Sequence, residues 1–382
     1  MHYFDNAATT FPKPSEVYDE INNFYRNFGV NVGRGMYKEA SIANKMVEET
    51  RELVRNLFHV NKTYDVVFTP SATIALNQVL RGLHLNDSSV IYISPFEHNA
   101  VMRTLHDMQK TIKFEIRTLA FDSKNFEYDI DRIYEEFKKT PPTSIVISHA
   151  SNVFGNIAPI RSIFNAGKKY NSINIGDFAQ TAGLLDIDLI NDYVDYAIFA
   201  GHKTLYGPLG VGGIISVKMS DLIPLITGGT GIDSQNLDMP KIVPEAYEAG
   251  SLNTMSIAGL NASLKWIRSV GINKIRETEK NITLKLLKIL FKYRNIYVFR
   301  NKDEEQNIGV VSCLFENYTS EEIGQIMSNY DIAVRTGLHC APLGHKMMHT
   351  FPQGTVRFSV SYFTSDEDIN ALEKVLSIIS QG

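Results

Sequence analysis

The 382-residue sequence contains only two cysteines, Cys313 and Cys340, and one tryptophan. Two thiols with no CxxC pair exclude a disulfide framework and the paired-cysteine zinc and redox sites. An excess of one charge is also missing: 38 basic residues stand against 42 acidic ones, a formal charge of −4. With no long block of like charge, a nucleic-acid partner is not expected. No apolar run approaches the roughly 20 residues of a membrane-spanning helix, so no membrane partner is expected either. The opening Met1-His2-Tyr3-Phe4-Asp5-Asn6 shows no basic stretch followed by an apolar one, and a cytoplasmic location is the expectation. What is present is ordinary: 44% hydrophobic, 21% charged and 10% aromatic residues. The length suits one large domain with a smaller one.

Hydrophobic patterning predicts alternating helices and strands. Ile42, Met46, Leu53 and Leu57 fall on one face of a helix over 41–58. Short β-branched runs predict strands over 66–69, 90–94, 144–148, 173–176, 196–199 and 213–217, with helices over 72–82, 129–139 and 160–170 between them. Strands with little polar interruption, separated by helices, indicate a parallel sheet covered on both faces. The pattern changes within 250–275. A single long helix is predicted over 257–293, then strands over 296–299 and 308–315 and a helix over 320–329 opened by the capping box Thr319-x-x-Glu322. A strand over 355–361 and a last helix opened by Thr364-x-x-Glu367 complete a second, α+β unit.

The densest chemical signal is Phe199-Ala200-Gly201-His202-Lys203-Thr204-Leu205-Tyr206-Gly207-Pro208, followed by Gly210, Gly212 and Gly213. A lysine between a strand end and a glycine-rich turn sits where α/β sheets bind ligands. If buried, its neutral amine can attack a carbonyl; if solvated, it is an ordinary loop lysine. The glycines match neither GxGxxG nor GxxxxGK[ST]. Asp177 closes the apolar run 173–176, either as a helix cap or as the acid that holds a protonated heterocyclic nitrogen. His98, in Ser94-Pro95-Phe96-Glu97-His98-Asn99, offers an imidazole to stack on a flat ring. Asn152, in Ser151-Asn152-Val153-Phe154-Gly155, offers an amide. Thr69-Pro70-Ser71-Ala72-Thr73 opens a helix whose N-terminus can be capped by Ser71 or Thr73, or can bind a phosphate. In Arg335-Thr336-Gly337-Leu338-His339-Cys340-Ala341, Cys340 lies beside a histidine and near an arginine, a setting in which thiols act as nucleophiles. Cys313, inside an apolar strand, reads as a core residue. His345 and His349 have ligand-like spacing from Cys340, but no second cysteine pair or HExxH accompanies them and no metal is expected. Arg357, alternating with apolar residues, suits either carboxylate binding or an ion pair.

A lysine for a Schiff base, an acid for a pyridine nitrogen, a phosphate-binding helix start and a ring-stacking imidazole converge on pyridoxal 5'-phosphate. Over nearly its whole length the sequence resembles the class V aminotransferase family of pyridoxal-phosphate enzymes, and within it the group II (Suf-like) cysteine desulfurases. The resemblance rests on Tyr3-Phe4-Asp5-Asn6-Ala7-Ala8-Thr9-Thr10, Asn31-Val32-Gly33-Arg34-Gly35, Glu97-His98, the 151–155 motif and Asp177-Phe178-Ala179-Gln180. Its strongest elements are Gly201-His202-Lys203, Glu248-Ala249-Gly250-Ser251-Leu252-Asn253-Thr254 and Arg335 through Ala341.

The resemblance implies an α/β protein of fold type I. A mostly parallel, seven-stranded-type sheet would lie in a large cofactor-binding domain over 14–255, with 1–13 and 256–382 forming a smaller α+β domain. It implies Lys203, Cys340 and His98 as catalytic residues: Lys203 carries the cofactor as a Schiff base, His98 stacks on its ring and Cys340 attacks the substrate's sulfur. Asp177 would pair with the pyridine nitrogen and Gln180 with the phenolic oxygen, while Ala72, Thr73 and His202 hold the phosphate. Ser251 would reach the phosphate in a neighbouring subunit, implying a homodimer. Asn152 and Arg357 would grip the substrate carboxylate, with Arg335 and Asn31 near the substrate. The activity implied is conversion of L-cysteine to L-alanine, with the sulfur left on Cys340 as a persulfide for a protein acceptor. The same scaffold also serves selenocysteine lyases and small amino acid aminotransferases and epimerases. Four features depart from the family pattern: Ala200 in place of a serine, Asn99 in place of a second histidine, Leu338 in place of another, and the continuation 342–345.

Overall fold

The computed structural model describes residues 1–33, 35–232 and 235–380; Arg34 of the 31–35 motif lies outside them. Seven strands form the main sheet: β1 (Asp65–Thr69), β2 (Val90–Ile93), β3 (Glu115–Thr118), β4 (Ser144–Ser148), β5 (Ile173–Asp177), β6 (Tyr196–Ala200) and β7 (Gly212–Ser216). Their order is β1-β7-β6-β5-β4-β2-β3. Only β7 runs against its neighbours; the other pairings are parallel. Six strands therefore bring their carboxyl ends to one edge. The helices are α1 (Ser15–Phe28), α2 (Lys38–Leu57), α3 (Ala72–Gly82), α4 (Asn99–Met108), α5 (Ile130–Lys139), α6 (Ile160–Lys168), α7 (Thr254–Val270), α8 (Ile272–Leu290), α9 (Ser320–Asn329), α10 (Pro342–Met347) and α11 (Asp366–Ile379).

The near-continuous apolar runs follow from burial on both faces. Val67, Ile91, Val146, Ile175 and Ile198 pack with Leu76 and Val79 of α3 and Val101 and Leu105 of α4. Their neighbours Val66, Phe68, Ile145, Ile147 and Phe199 face Val54 of α2, Phe137 of α5, Phe164 of α6 and Leu260 of α7. Alternate residues of each strand thus serve opposite layers. A second, antiparallel sheet has the order β8 (Ile296–Phe299), β9 (Val310–Phe315), β11 (Thr355–Ser359), β10 (Arg335–Gly337). It packs on α8, α9 and α11 through Leu286, Ile323, Met327, Phe358 and Leu372. Among the described residues no helix is long and apolar enough to cross a membrane.

Most predicted elements stand within two residues of their expected ends, and two expectations are corrected. The single helix over 257–293 is two, α7 and α8, because Gly271 adopts φ 88° and breaks the ladder between them. The last helix is capped by Ser365 and Asp368 rather than Thr364 and Glu367; Thr364 instead accepts a hydrogen bond from the Ser361 N–H. Residue 99 opens α4, a helix that, with α1 and the polar edge strand β3, was not anticipated. The Thr319–Glu322 box forms as expected.

Gly155 closes the turn after β4 with φ 77°, and a Cβ there would lie 2.3 Å from the Val310 carbonyl oxygen. Both the conformation and the close approach require glycine. Gly155→Ala is expected to destabilise the protein by about 2–4 kcal/mol, read as a lower urea midpoint at unchanged m.

Candidate active site

A cavity of about 230 Å³ opens at the carboxyl ends of β1, β2, β4, β5 and β6. Lys203, Asp177, Gln180, His98, Ala72, Thr73, His202, Asn152, Arg335, Arg357 and Cys340 all line it. Eleven of the thirteen site residues expected from sequence are therefore brought together. Ser251 and Asn31 are not: they line a second cavity of about 860 Å³.

Asp177 ends β5, where its Oδ1 accepts the Ala179 N–H at 2.9 Å. Burial raises its pKa, opposed by that bond and by the charge of Lys203. Lys203 lies three residues beyond the end of β6, and among the described residues its amine has no hydrogen-bond or ion-pair partner. Burial draws its pKa below the usual lysine range, with Asp177 opposing. Both groups are thus pushed toward neutrality. Gln180 lines the floor and donates from Nε2 to the Ala7 carbonyl at 2.9 Å.

Ser71 caps α3 by accepting the Ile74 N–H at 3.3 Å. The N–H groups of Ala72 and Thr73 therefore keep the orientation of uncapped helix-start donors. A Cβ on Gly212 would come within 2.9 Å of the Ala72 nitrogen, so the missing side chain lets β7 press against this helix start. His202 Nδ1 is buried without a hydrogen-bond partner, and burial takes the ring's pKa down to about 4. Its backbone is fixed: the His202 carbonyl accepts from Thr10 N at 3.1 Å, Thr9 Oγ1 at 3.0 Å and Lys13 Nζ at 2.7 Å. Burial lowers the Lys13 amine to about 7.

His98 Nδ1 accepts the Ala100 N–H at 3.0 Å and caps α4. That bond assigns the proton to Nε2. Burial, reinforced by the charge of Lys203, lowers its pKa to about 4, and the ring is neutral. Glu97 is fully buried beside it. Its Oε1 accepts from Ser94 Oγ at 2.5 Å and Ser148 N at 2.7 Å, and its Oε2 from Ser148 Oγ at 2.9 Å. Burial pushes its pKa up to about 7 despite these bonds.

Arg335 and Arg357 lie opposite each other on β10 and β11. Two like charges in register repel, and Asp5 answers both. Arg357 Nη2 donates to Asp5 Oδ1 at 2.5 Å, while Arg335 Nη1 lies 3.8 Å from Asp5 Oδ2. Arg357 is almost wholly buried, and its Nε has no partner. Asn152 holds two neighbours: its carbonyl accepts from Arg357 Nη1 at 2.8 Å, and its Nδ2 donates to the His339 carbonyl at 2.7 Å. Cys340 is exposed at the rim, whereas Cys313 is buried in the core. His345 is buried with Nδ1 on Thr350 Oγ1 at 2.7 Å. Among the described residues no group of three or more His, Cys, Asp or Glu side chains is arranged to hold a metal.

Sequence reasoning assigned no role to Asp5, Lys13, Glu97 or His149. The signal for Glu97 was a carboxylate in the short segment that follows the apolar strand β2. For Asp5, Lys13 and His149, whose N–H donates to the Asp177 carbonyl at 2.9 Å, no local pattern marks the contact. In the 248–254 motif, Glu248 takes a bidentate pair from Arg51 at 2.9 and 2.7 Å. Glu248 also accepts the Phe68 N–H at 2.6 Å, while Asn253 caps α7.

The donor set fits pyridoxal phosphate. An unpartnered amine and a buried acid face one cavity, and a helix start and an unpartnered imidazole nitrogen supply donors for a phosphate. The fold matches that of fold type I pyridoxal-phosphate enzymes. The sequence profile of the aminotransferase class-V family matches residues 2–372, and the chain belongs to that family. Fold and family together imply a pyridoxal-phosphate site. A probable cysteine desulfurase of Pyrococcus abyssi is 30% identical over 383 residues, covering 98% of this chain and 93% of that protein. A probable cysteine desulfurase of Halalkalibacterium halodurans is 28% identical over 386 residues, covering 98% and 92%. The apo structure of a cysteine desulfurase from Thermococcus onnurineus superposes with a TM-score of 0.93 at 25% identity, covering 100% of this chain and 94% of that one.

The raised pKa of Glu97 makes stability depend on pH. The folded state retains a proton there up to about pH 7, whereas the unfolded carboxyl releases it near its ordinary value. Its contribution is therefore present below about pH 4.5 and lost as pH rises toward 7. Glu97→Gln keeps an acceptor for Ser94 and Ser148 and a donor for Ser148. In cofactor-free protein, the loss of urea stability from pH 5 to pH 8 should be smaller in this variant than in wild type. An identical loss would show Glu97 ionised throughout.

Proposed function

We propose that the chain is a pyridoxal-phosphate-dependent cysteine desulfurase that converts L-cysteine to L-alanine and keeps the sulfur on Cys340 as a persulfide. The observation that carries this reading is the exposed Cys340 on the rim of the cavity that holds Lys203, Asp177 and both arginines. The named relatives support the same substrate. Residues 14–255 are read as the cofactor-binding domain and 1–13 with 256–382 as the smaller one. Two free cysteines suit a reducing, cytoplasmic setting.

Bound through Lys203, pyridoxal phosphate supplies an electron sink conjugated to the substrate's Cα. Asp177 would pair with the pyridine nitrogen and favour its protonated form, an arrangement that would also favour the ionised carboxylate against burial. Gln180 bonds the phenolic oxygen. Ala72, Thr73 and His202 hold the phosphate, and His98, neutral and fixed by its capping bond, stacks on the ring. Arg357, with Arg335 beside it, receives the substrate carboxylate, with Asn152 close by. The Lys203 amine would move the proton at Cα. Cys340 then takes the sulfur: an S–S bond forms as the C–S bond breaks. The bonding pair stays on carbon, which gains a proton, so no outside oxidant or reductant is needed.

Ser251 and Asn31 act in a homodimer, where the 250–251 segment of one copy reaches the phosphate in the other. Exposed apolar side chains in the stretches next to them in sequence, Met36 after the 31–35 motif and Leu237 and Ile242 before the 248–254 motif, support a covered face. A protein acceptor then removes the sulfur.

Cys340→Ala is expected to lower alanine and sulfide release from L-cysteine by about 10²-fold or more. Borohydride reduction of the native enzyme should leave an adduct on Lys203 that Lys203→Ala lacks. Unchanged turnover in Cys340→Ala would instead assign an aminotransferase or epimerase.

A further inference from the structure

The loop after β10 carries two consecutive non-glycine residues in the left-handed region, His339 at φ 46° and Cys340 at φ 59°. Such conformations persist only where their surroundings hold them. Here the holding groups are identifiable. The His339 carbonyl accepts from Asn152 Nδ2 at 2.7 Å, and the Cys340 carbonyl accepts from the Asn99 N–H at 2.7 Å. These carbonyls belong to the two peptide groups flanking the Cys340 Cα. Peptide groups are planar, so pinning both fixes the Cα–Cβ direction and leaves the thiol one torsion.

Each pin is itself anchored in the cavity wall. Asn152 is tied through its carbonyl to Arg357 Nη1 at 2.8 Å. Asn99 is the first residue of α4, whose cap is His98. The His339 ring bonds Thr355 through Nε2, at 3.1 Å to the carbonyl and 3.0 Å to Oγ1.

We propose that Asn152 and the backbone N–H of Asn99 form a two-point clamp that aims the Cys340 thiol, making both positioning residues. This rests on the reading of Cys340 as the sulfur-accepting thiol, and it gives the Asn152 amide a task other than substrate binding. It also accounts for asparagine at position 99: the clamp uses the main chain, so the side chain is free to vary.

Asn99→Pro isolates the effect. Proline is well tolerated at the first helical position. His98, at φ −67° and ψ 153°, already has the extended conformation that a following proline demands. The substitution removes the N–H and puts ring atoms where the Cys340 carbonyl lies. The first readout is the rate of iodoacetamide alkylation in cofactor-free protein, which reports Cys340 because Cys313 is fully buried. Asn99→Pro and Asn152→Ala should each alkylate at least threefold faster than wild type as the strained loop relaxes, while Asn99→Ala keeps the wild-type rate. The second readout is turnover of the loaded enzyme: kcat for L-cysteine should fall at least tenfold in Asn99→Pro and Asn152→Ala, with KM within twofold. An unchanged alkylation rate in either variant overturns the clamp, whatever turnover does. A raised KM at constant kcat in Asn152→Ala also overturns it and returns that amide to the substrate carboxylate. If Asn99→Pro does not fold, Asn152→Ala decides alone. If wild type releases no alanine, the desulfurase reading fails while the alkylation comparison still judges the clamp.

Discussion

The site depends on one electrostatic constraint: Asp177 ends β5 and Lys203 lies just beyond the end of the adjacent parallel strand β6, where both are removed from bulk water. Burial penalises the charged form of each group, so the acid shifts up and the amine down. Were they joined in a tight ion pair, each would satisfy the other and the amine would stay protonated. They make no such bond, and Asp177 spends one oxygen on the Ala179 N–H instead. The pair is left short of a partner that brings a cation to the acid and an electrophile to the amine. Pyridoxal phosphate has both.

The amino-terminal segment carries the second constraint, since it bonds to both sheets. Asp5 meets Arg357 of β11, and Asn6 Nδ2 donates to the Ser359 carbonyl at 2.8 Å. On the other side, the Ala7 carbonyl accepts from Gln180 at 2.9 Å and Thr10 Oγ1 donates to the Lys203 carbonyl at 2.7 Å. The spacing of the Asp5-Asn6-Ala7-Ala8-Thr9-Thr10 motif is therefore the spacing of a strap. Each polar side chain or carbonyl finds one buried group of the site. Arg357 and Lys203 are held at a fixed separation by the six residues Asp5 to Thr10.

Much of this was legible because parallel strands buried on both faces read as unbroken apolar runs. The polar segment that follows such a run marks the carboxyl end, which is how the stretches holding Asp177, His98, Asn152 and Lys203 declared themselves. The Asp5–Arg357 contact spans the whole chain, and no local pattern encodes it. The same holds for the Asn152 amide, whose partner is a backbone carbonyl with no sequence signature. Gly271 was passed over because apolar periodicity runs on both sides of it, and periodicity does not reveal a φ of 88°. Strand β3 was missed because Glu115 and Arg117 face solvent on a sheet edge, where alternation is too short to stand out. Ser251 and Asn31 were carried over from family resemblance alone, and a single copy of the chain gives them no place in the cavity.

The charge balance shows why an overall acidic chain suits anionic ligands. Lys13, Lys203, Arg335 and Arg357 lie in or against the cavity wall, opposed nearby by Asp5 and Asp177. His98 and His202, both shifted down to about 4, add no charge at neutral pH. Arg335 and Arg357 face the single carboxylate of Asp5, and with burial pushing Lys203 and Asp177 toward neutrality the excess positive charge lies at the Arg357 end. A carboxylate at Arg357 would use that excess, and a phosphate would use the N–H donors of the α3 start, leaving the middle to the acid and amine. An uncharged substrate would leave the Arg357 end unbalanced. On the proposed reading, recognition of an α-carboxylate would thus fall to the second sheet and the chemistry at Cα to the first.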